Sequence, residues 1–200
     1  GSSSFFGTVT VENGTVTVSA QGHEVTAQDI EGSADFSDYP VLKLAAKANC
    51  LDSAVDFSGT YRKERQIFNL KVSGLDLMNV LPLLPDGTIP DGVEVLGGTV
   101  TEAKVSGQYM GSQLSFAGQA QYENGSVKVK DTQVDNIHGF ASFTDAEVLL
   151  FTDAEAAGQQ AHAEGKVCYH RDYWDTGEEL YMKLPGLGTL MRGLRRVLAA

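Results

Sequence analysis

The sequence predicts a mainly β protein: an elongated, curled and mostly antiparallel sheet made of repeated hairpin units. Three observations lead to this fold class. About a dozen segments alternate apolar and polar residues with a period of two, as half-buried strands do. Turn residues separate these segments at spacings of about 8–12 residues. No helical crossover of βαβ length lies between them, so neighbouring strands should run antiparallel.

One stretch of the sequence occurs twice. ENGTVTV at 12–18 returns as ENGSVKV at 123–129, and DIEGSADFSD at 29–38 returns as NIHGFASFTD at 136–145. Further on, residues 41–42 align with 148–149, and 55–61 align with 161–169 after small length changes. The first copy has about four extra residues between its opening hairpin and the Ile-x-Gly step. The copies therefore cover 12–61 and 123–169, and such a repeat indicates units that contact mainly their neighbours.

Each copy opens with an Asn-Gly pair that precedes alternating residues. Asn and Gly tolerate the positive φ that both central positions of a type I′ turn need, so we expect hairpin turns at Asn13-Gly14 and Asn124-Gly125. The valines that follow each turn would lie on one face of a half-buried strand. The same residues match the glycosylation acceptor pattern, but the turn already explains them.

Two segments depart from the alternation. Asp76 is a plausible N-cap for leucines at helical spacing, and Pro82 and Pro85 limit the length, so we expect a short helix near residues 76–84. Residues 185–200 predict a C-terminal amphipathic helix. Two interpretations of that helix stay open: it lies on a membrane surface, or, as we favour, it packs on the open end of the sheet and covers an exposed strand edge.

The predicted organisation has three parts. We expect residues 1–4 to be an expression remnant, residues 5–169 to form the sheet, and residues 170–200 to form a tail with the C-terminal helix. No apolar run approaches the ~20 residues of a membrane span, and no signal peptide is recognisable. We therefore expect the chain to be a piece of a longer protein.

Charge and residue spacing argue against several classes of function. The net charge of −11, from 26 acidic and 15 basic residues, argues against a nucleic-acid partner, because phosphate neutralisation drives that binding. No Gly-x-Ser-x-Gly motif and no glycine-rich strand-to-helix loop is present. We expect no enzyme activity, no catalytic residues and no cofactor.

A metal site is not expected either. The four histidines are scattered, and the Cys-x-His spacing of Cys168 and His170 lacks the second ligand pair of a structural zinc site. Acidic residues near Pro85 and Pro90 do not follow the calcium-loop pattern. Cys50 and Cys168 could pair in an oxidising compartment, but two cysteines do not make a disulfide scaffold.

NLKVSGLDLMNVLPLLP at 69–85 and NGSVKVKDTQVDNIHGFASFTDAEVLL at 124–150 resemble the TamB family and the wider AsmA-like group of bacterial envelope proteins. In that family a strand ends in a v-x-x-l-d-l step before a leucine-rich helix, and a unit of the form dG-x-v-x-v … i-x-x-i-x-G-x-a-x-f recurs. The resemblance covers most of residues 6–169, and the tail with Trp174 does not share it. It implies a β-taco, a long twisted sheet curled into a trough with an apolar inner face.

The resemblance also implies a location and a role. Family members are anchored in the inner membrane, cross the periplasm and serve outer-membrane biogenesis. They move phospholipid between membranes, and TamB members assemble outer-membrane proteins with a TamA-type barrel partner. For this chain the resemblance implies a periplasmic segment whose partners are phospholipid acyl chains or nascent outer-membrane proteins.

An apolar groove is also plausible on physical grounds. A curled sheet with one apolar face must fill that face with its own side chains or leave a groove, and large aromatics are scarce, with one Trp and nine Phe. The alternative is a closed β-sandwich, a binding or adhesin module that recognises its partner through loops such as residues 85–92. The groove-lining residues that we predict are Val16, Val18, Ile30, Phe36, Phe57, Phe68, Leu70, Val72, Leu114, Phe116, Val127, Val129, Ile137 and Phe143.

Overall fold

The computed structural model describes the backbone of residues 6–20, 22–84, 89, 91–170, 173–183 and 189–190, and the side chains of residues 6–19, 22–84, 89 and 91–166. Within these residues the chain forms one twelve-stranded sheet whose hydrogen-bonded neighbours follow chain order. The predicted mainly β, antiparallel fold class is confirmed.

The strands differ in length from two to eighteen residues. They are β1 (Thr8–Ala20), β2 (His23–Asp35), β3 (Leu42–Cys50), β4 (Ser53–Arg62), β5 (Arg65–Asp76), β6 (Val93–Met110), β7 (Gln113–Val129), β8 (Thr132–Thr144), β9 (Glu147–Ala156), β10 (Gln159–His170), β11 (Tyr173–Lys183) and β12 (Thr189–Leu190).

Contacts divide the chain into two compact units. Unit 1 comprises Gly1–Leu75 and Glu102–Gly118, and unit 2 comprises Asp76–Thr101 and Gln119–Ala200. The long strands β6 and β7 contribute residues to both units.

The first Asn-Gly pair forms a β-bulge rather than a hairpin turn. Asn13 and Gly14 lie inside β1, where the register with β2 shifts on both sides of Gly14. Asn13 has φ 55°, and Asp29 on β2 has φ 52°. Each of the two strands thus holds one extra residue in the left-handed region, which makes a pair of facing bulges. The hairpin turn that we expected at Asn13-Gly14 is wrong.

The second Asn-Gly pair behaves in the same way. Asn124 lies inside β7 with φ 55°, and Asn136 on β8 has φ 52°. The expected turn at Asn124-Gly125 is therefore also wrong, and β7 is one strand where two were expected. The local preference of Asn and Gly for positive φ was read correctly, but a bulge satisfies that preference as well as a turn does.

The paired bulges determine which residues share a face. Val11 and Val16 are five positions apart, so an unbroken strand would place them on opposite faces. In the observed register Val11 pairs with Gly32 and Val16 pairs with Ala27. Because each strand gains one residue between these pairs, both valines remain on the same face of the hairpin.

The register also refines the internal repeat. Ala34 pairs with Leu44, and its counterpart Ala141 pairs with Leu150. Leu44 and Leu150 are therefore equivalent, which moves the expected alignment of residues 41–42 by one residue. The connection between the two strands is one residue shorter in the second copy, and this length difference is not visible in the residue types alone.

The short helix forms where it was predicted. α1 (Leu77–Val80) begins after Asp76, whose side chain accepts a hydrogen bond of 2.9 Å from the Met78 amide, and a 3₁₀ turn over Leu81–Leu83 follows. A Cβ placed on Gly98 would lie 2.9 Å from Cδ1 of Leu77, so the helix packs on β6 within unit 2. None of the helices in the described part of the chain has the length and apolarity needed to cross a membrane.

The C-terminal region is described only in part. Of the predicted amphipathic helix, only Thr189 and Leu190 are described, and they form β12 on the side of β11. The rest of residues 185–200 lies outside the described residues. β11 itself pairs with β10, so the sheet extends beyond residue 169, where we expected a tail.

Candidate functional site

Unit 1 presents an apolar face formed by every second residue of β3, β4 and β5. Phe57 pairs with Ala46 on one side and with Leu70 on the other. In the next row, Val55 lies between Ala48 and Val72. All of these side chains are half-buried, whereas most of their sequence neighbours are exposed. Phe57, Leu70 and Val72 were predicted groove residues, and the register brings them together on this face.

Phenylalanine rings lie over glycines on the same face of unit 1. A Cβ placed on Gly107 would be 2.4 Å from Cζ of Phe68, and one on Gly59 would be 3.3 Å from Cζ of Phe57. The glycines therefore leave room for the rings to lie close to the backbone. This arrangement lines the face with aromatic surface.

The other predicted groove residues of unit 1 are more dispersed. Ile30, Phe36 and Phe116 are half-buried. Val16 and Val18 are 52% and 56% exposed on β1, and Leu114 is also exposed. The face is thus best covered at β3–β5 and least covered at β1.

No apolar side chain in the described part of the chain is buried. Ser53, at 2% exposure, is the one buried residue there. Its hydroxyl donates to the carbonyl oxygen of Leu51 at 3.1 Å. A domain of two packed layers would bury a set of large apolar residues between them. The described strands carry the apolar face of such a layer without burying it.

Unit 2 has an apolar face of its own. Phe143 pairs with Val148, and Ala141 pairs with Leu150. All four residues are half-buried, as are the remaining predicted groove residues of this unit. Those residues are Val127, Val129 and Ile137.

The opposite face of unit 2 carries an aromatic pair that was not among the predicted site residues. Phe140 and Phe151 stack with ring centroids 4.6 Å apart and an interplanar angle of 16°. They are 46% and 37% exposed, and Leu149 nearby on β9 is exposed as well. The period-2 alternation does place Phe140 and Phe143 on opposite faces, but the pairing with Phe151 depends on the register of β8 and β9.

A groove of about 620 Å³ lies on the polar face of unit 1, and it was not predicted from the sequence. Phe57 and Leu70, whose side chains belong to the apolar face, contribute to its floor. Two rows of residues that cross β2–β6 form its walls: Ser33, Ala45, Ser58, Asn69 and Ser106 in one row, and Glu31, Lys47, Asp56, Lys71 and Lys104 in the other.

Ion pairs neutralise much of the charge beside this groove. Glu102 accepts hydrogen bonds from Lys104 Nζ at 2.5 Å and from Lys71 Nζ at 2.7 Å. These two bonds, from Lys104 first and then from Lys71, lower the pKa of Glu102 to about 2. The bond from Lys71 to Glu102 in turn raises the pKa of Lys71. The groove wall is therefore a balanced row of charges, not a concentrated anion or cation site.

Metal-ligating and nucleophilic groups do not converge in the described part of the chain. No group of three or more His, Cys, Asp or Glu there could hold a metal ion. His162 on β10 has Asp153 at 2.7 Å from Nδ1 and Glu164 at 3.6 Å from Nε2, and all three side chains are exposed. The Cys50 thiol is free, and the Cys168 side chain lies outside the described residues.

Comparison of this chain with protein-family models, curated proteins and solved structures gave no match of any kind.

Proposed function

We propose that this chain is a non-enzymatic scaffold segment whose apolar sheet faces accommodate the acyl chains of phospholipids. In this proposal it is a periplasmic part of a larger TamB- or AsmA-like envelope protein that serves outer-membrane biogenesis. One observation carries the proposal: a continuous apolar face is present in each unit, yet no apolar side chain among the described residues is buried. In water such a face is unfavourable unless something covers it.

One row of paired residues across β2–β5 supports an acyl chain as the covering group. In this row Gly32 pairs with Ala46, Ala46 with Phe57, and Phe57 with Leu70. Neighbouring strands are about 4.8 Å apart, so this row offers an apolar strip about 14 Å long across four strands. Each methylene that leaves water contributes about 0.8 kcal/mol. An acyl chain that follows several such rows would gain useful affinity without any specific polar contact.

A sealed binding or adhesin module is less well supported. Such a module would bury apolar side chains between two packed sheets, and none is buried in the described part of the chain. A nascent outer-membrane protein is the second candidate cargo of the parent protein, because its lipid-facing strands are apolar too. The experiment below separates lipid from protein cargo by the probe that it uses.

The experiment compares adjacent residues that face opposite ways. Leu150 lies on the apolar face of unit 2, and Leu149 lies on the other face. Likewise Phe57 lies on the apolar face of unit 1, and its neighbour Ser58 does not. We expect Leu150→Asp and Phe57→Asp to weaken binding of a phospholipid with a photoreactive acyl chain by about tenfold or more, since a charge on the face must be desolvated. Leu149→Asp and Ser58→Asp should leave the labelling unchanged.

Circular dichroism and urea unfolding of all four variants would show whether they remain folded. Absence of acyl-chain labelling in the unmodified protein would contradict the proposal. Equal labelling of the two variants on the apolar faces and of their two controls on the opposite faces would also contradict it, because binding would then not use the apolar face. Labelling by an unfolded outer-membrane protein without labelling by lipid would point to protein cargo instead.

A further inference from the structure

The outer edge of β1 has the features of an interface. Among the described residues β1 pairs with β2 alone. The Phe36 amide donates to the Gly7 carbonyl oxygen at 2.8 Å, and hydrogen-bonded pairs alternate along an antiparallel ladder. Val9 and Val11 therefore direct their backbone groups to β2, whereas Thr8 and Thr10 direct theirs to the open edge. A strand of 13 residues with this edge and no proline or lysine is an open template for pairing.

The second copy of the repeat shows what such an edge accepts. β7 is the counterpart of β1, and β6 occupies the corresponding edge of β7. Within unit 2, a Cβ placed on Gly98 would lie 3.3 Å from Cα of Gly125. The Thr101 hydroxyl donates to the Gln121 carbonyl oxygen at 3.3 Å. The edge of the bulged strand thus receives an antiparallel strand with a glycine opposite the glycine of the bulge.

The sequence that β6 uses for this pairing also occurs in β1. β6 contains Gly-Thr-Val-Thr at 98–101, and β1 contains Gly-Thr-Val-Thr at 14–17. β1 therefore combines the position of β7 with the sequence of β6. Because β1 has the features of both strands of the β6–β7 pair, it can form the same kind of pair with β1 of a second copy of the chain.

We propose that two copies of this chain pair through their β1 edges, antiparallel, with Gly14 facing the partner's Gly14 on a twofold axis. The contact is isologous, as in most homodimers. In this register Thr17 lies opposite the partner's Thr10, because Asn13 is the extra residue of the bulge and takes no part in the pairing. The β6–β7 pairing likewise places Thr101 beside Gln121, the counterpart of Thr10. Pairing places a neighbouring strand beside Val16 and Val18, which are more than half exposed in the single chain.

The first test removes the outward amide of Thr10. Sedimentation equilibrium should show a concentration-dependent dimer for the unmodified chain and for Thr10→Val, which keeps the amide. Thr10→Pro should weaken dimerisation by about tenfold or more, because proline has no N–H to donate to the partner. The Thr10 amide is not used in the β1–β2 ladder, so Thr10→Pro should keep the far-ultraviolet circular dichroism of the unmodified chain.

The second test measures the register of the two β1 strands by spin-label distances, and it does not depend on how Thr10→Pro affects folding. With Cys50 and Cys168 replaced by serine, a spin label at Thr17 should give a distance between the two copies of about 20 Å, and a label at Thr8 about 33 Å. These values follow from a rise of about 3.3 Å per residue on either side of Gly14, and Asn13 is not counted because it is the extra residue of the bulge.

Three outcomes would overturn the proposal. The first is a chain that stays monomeric at its highest soluble concentration. The second is a dimer that Thr10→Pro leaves unchanged in affinity. The third is a dimer whose Thr8 and Thr17 distances do not differ in the expected order, which would assign the contact to another surface.

Discussion

The two copies of the repeat open with hairpins that have the same bulges but different neighbours. β1 lies at the edge of the described sheet, whereas β7 lies between β6 and β8. Even so, Asn13 and Asn124 both have φ 55°, and their partners Asp29 and Asn136 both have φ 52°. The paired bulge is therefore determined by the hairpin itself and not by the strand beyond it.

The largest difference in stability between the copies is expected when alanine replaces the glycine that follows the bulge of the second strand, Gly32 in copy 1 and Gly139 in copy 2. A Cβ on Gly139 would lie 2.0 Å from the Phe151 carbonyl oxygen at φ +157°, whereas one on Gly32 would lie 3.0 Å from the Ala45 carbonyl oxygen. Gly139→Ala should therefore lower the free energy of unfolding by roughly 3 kcal/mol, and Gly32→Ala by roughly 1 kcal/mol. Urea unfolding of the two variants measures this difference. Equal losses would show that the backbone of β8 and β9 can separate without cost.

A smaller loss of stability, equal in the two copies, is expected when alanine replaces the asparagine of each bulge. Alanine at φ near 55° costs roughly 1 kcal/mol relative to asparagine or glycine. Asn13→Ala and Asn124→Ala should each lose about that much, and Asn13→Gly and Asn124→Gly should be neutral within about 0.5 kcal/mol. If Asn124→Ala alone were destabilising, β6 rather than the hairpin would hold the bulge in place.

The smallest effect concerns one cross-strand ion pair whose charges are reversed between the copies. In copy 1 Lys47 on β3 lies 3.9 Å from Asp56 on β4, and at the equivalent positions of copy 2 Asp153 lies 2.7 Å from His162. The hydrogen bond with Asp153 is the main cause that raises the pKa of His162 above 6.5, and Glu164 adds to it. Only the copy 2 pair contains a histidine, so only that pair should respond to pH near neutrality.

The sign of that response follows from the raised pKa. The stabilisation is complete below pH 6.5 and is lost as the pH rises through the pKa of His162 in the folded chain. Since both side chains are exposed, the loss should be about 0.5 kcal/mol or less. Asp153→Asn should lower the pKa of His162 in an NMR titration and flatten the pH dependence of unfolding. Lys47→Ala should leave both unchanged.

The sequence was sufficient where structure depends on neighbours along the chain. The period-2 alternation correctly predicted that Phe57, Leu70 and Val72 share one face. Asp76 correctly predicted the start of the helix, because its carboxylate accepts a hydrogen bond from an amide only two residues away. Asn13-Gly14 was misread because positive φ fits a turn and a bulge equally, and the facing residue Asp29 is sixteen positions later in the chain.

The missed sites depend on register between strands that are distant along the chain. The polar groove needs five strands in register before its two walls exist. The Phe140–Phe151 stack likewise needs β8 and β9 to be paired correctly. The alternation of residues within one strand does not determine the register of the five strands that form the groove, nor the pairing of β8 with β9.

Strict chain order in the sheet has a consequence for how such a protein can grow and fold. Each strand finds its partners among the strands that are made just before and just after it, so the contacts are short in sequence and the search for them is brief. A gene duplication can insert another hairpin at any junction without a connection having to cross the sheet. The duplicated stretch within this chain is what such an insertion would leave behind.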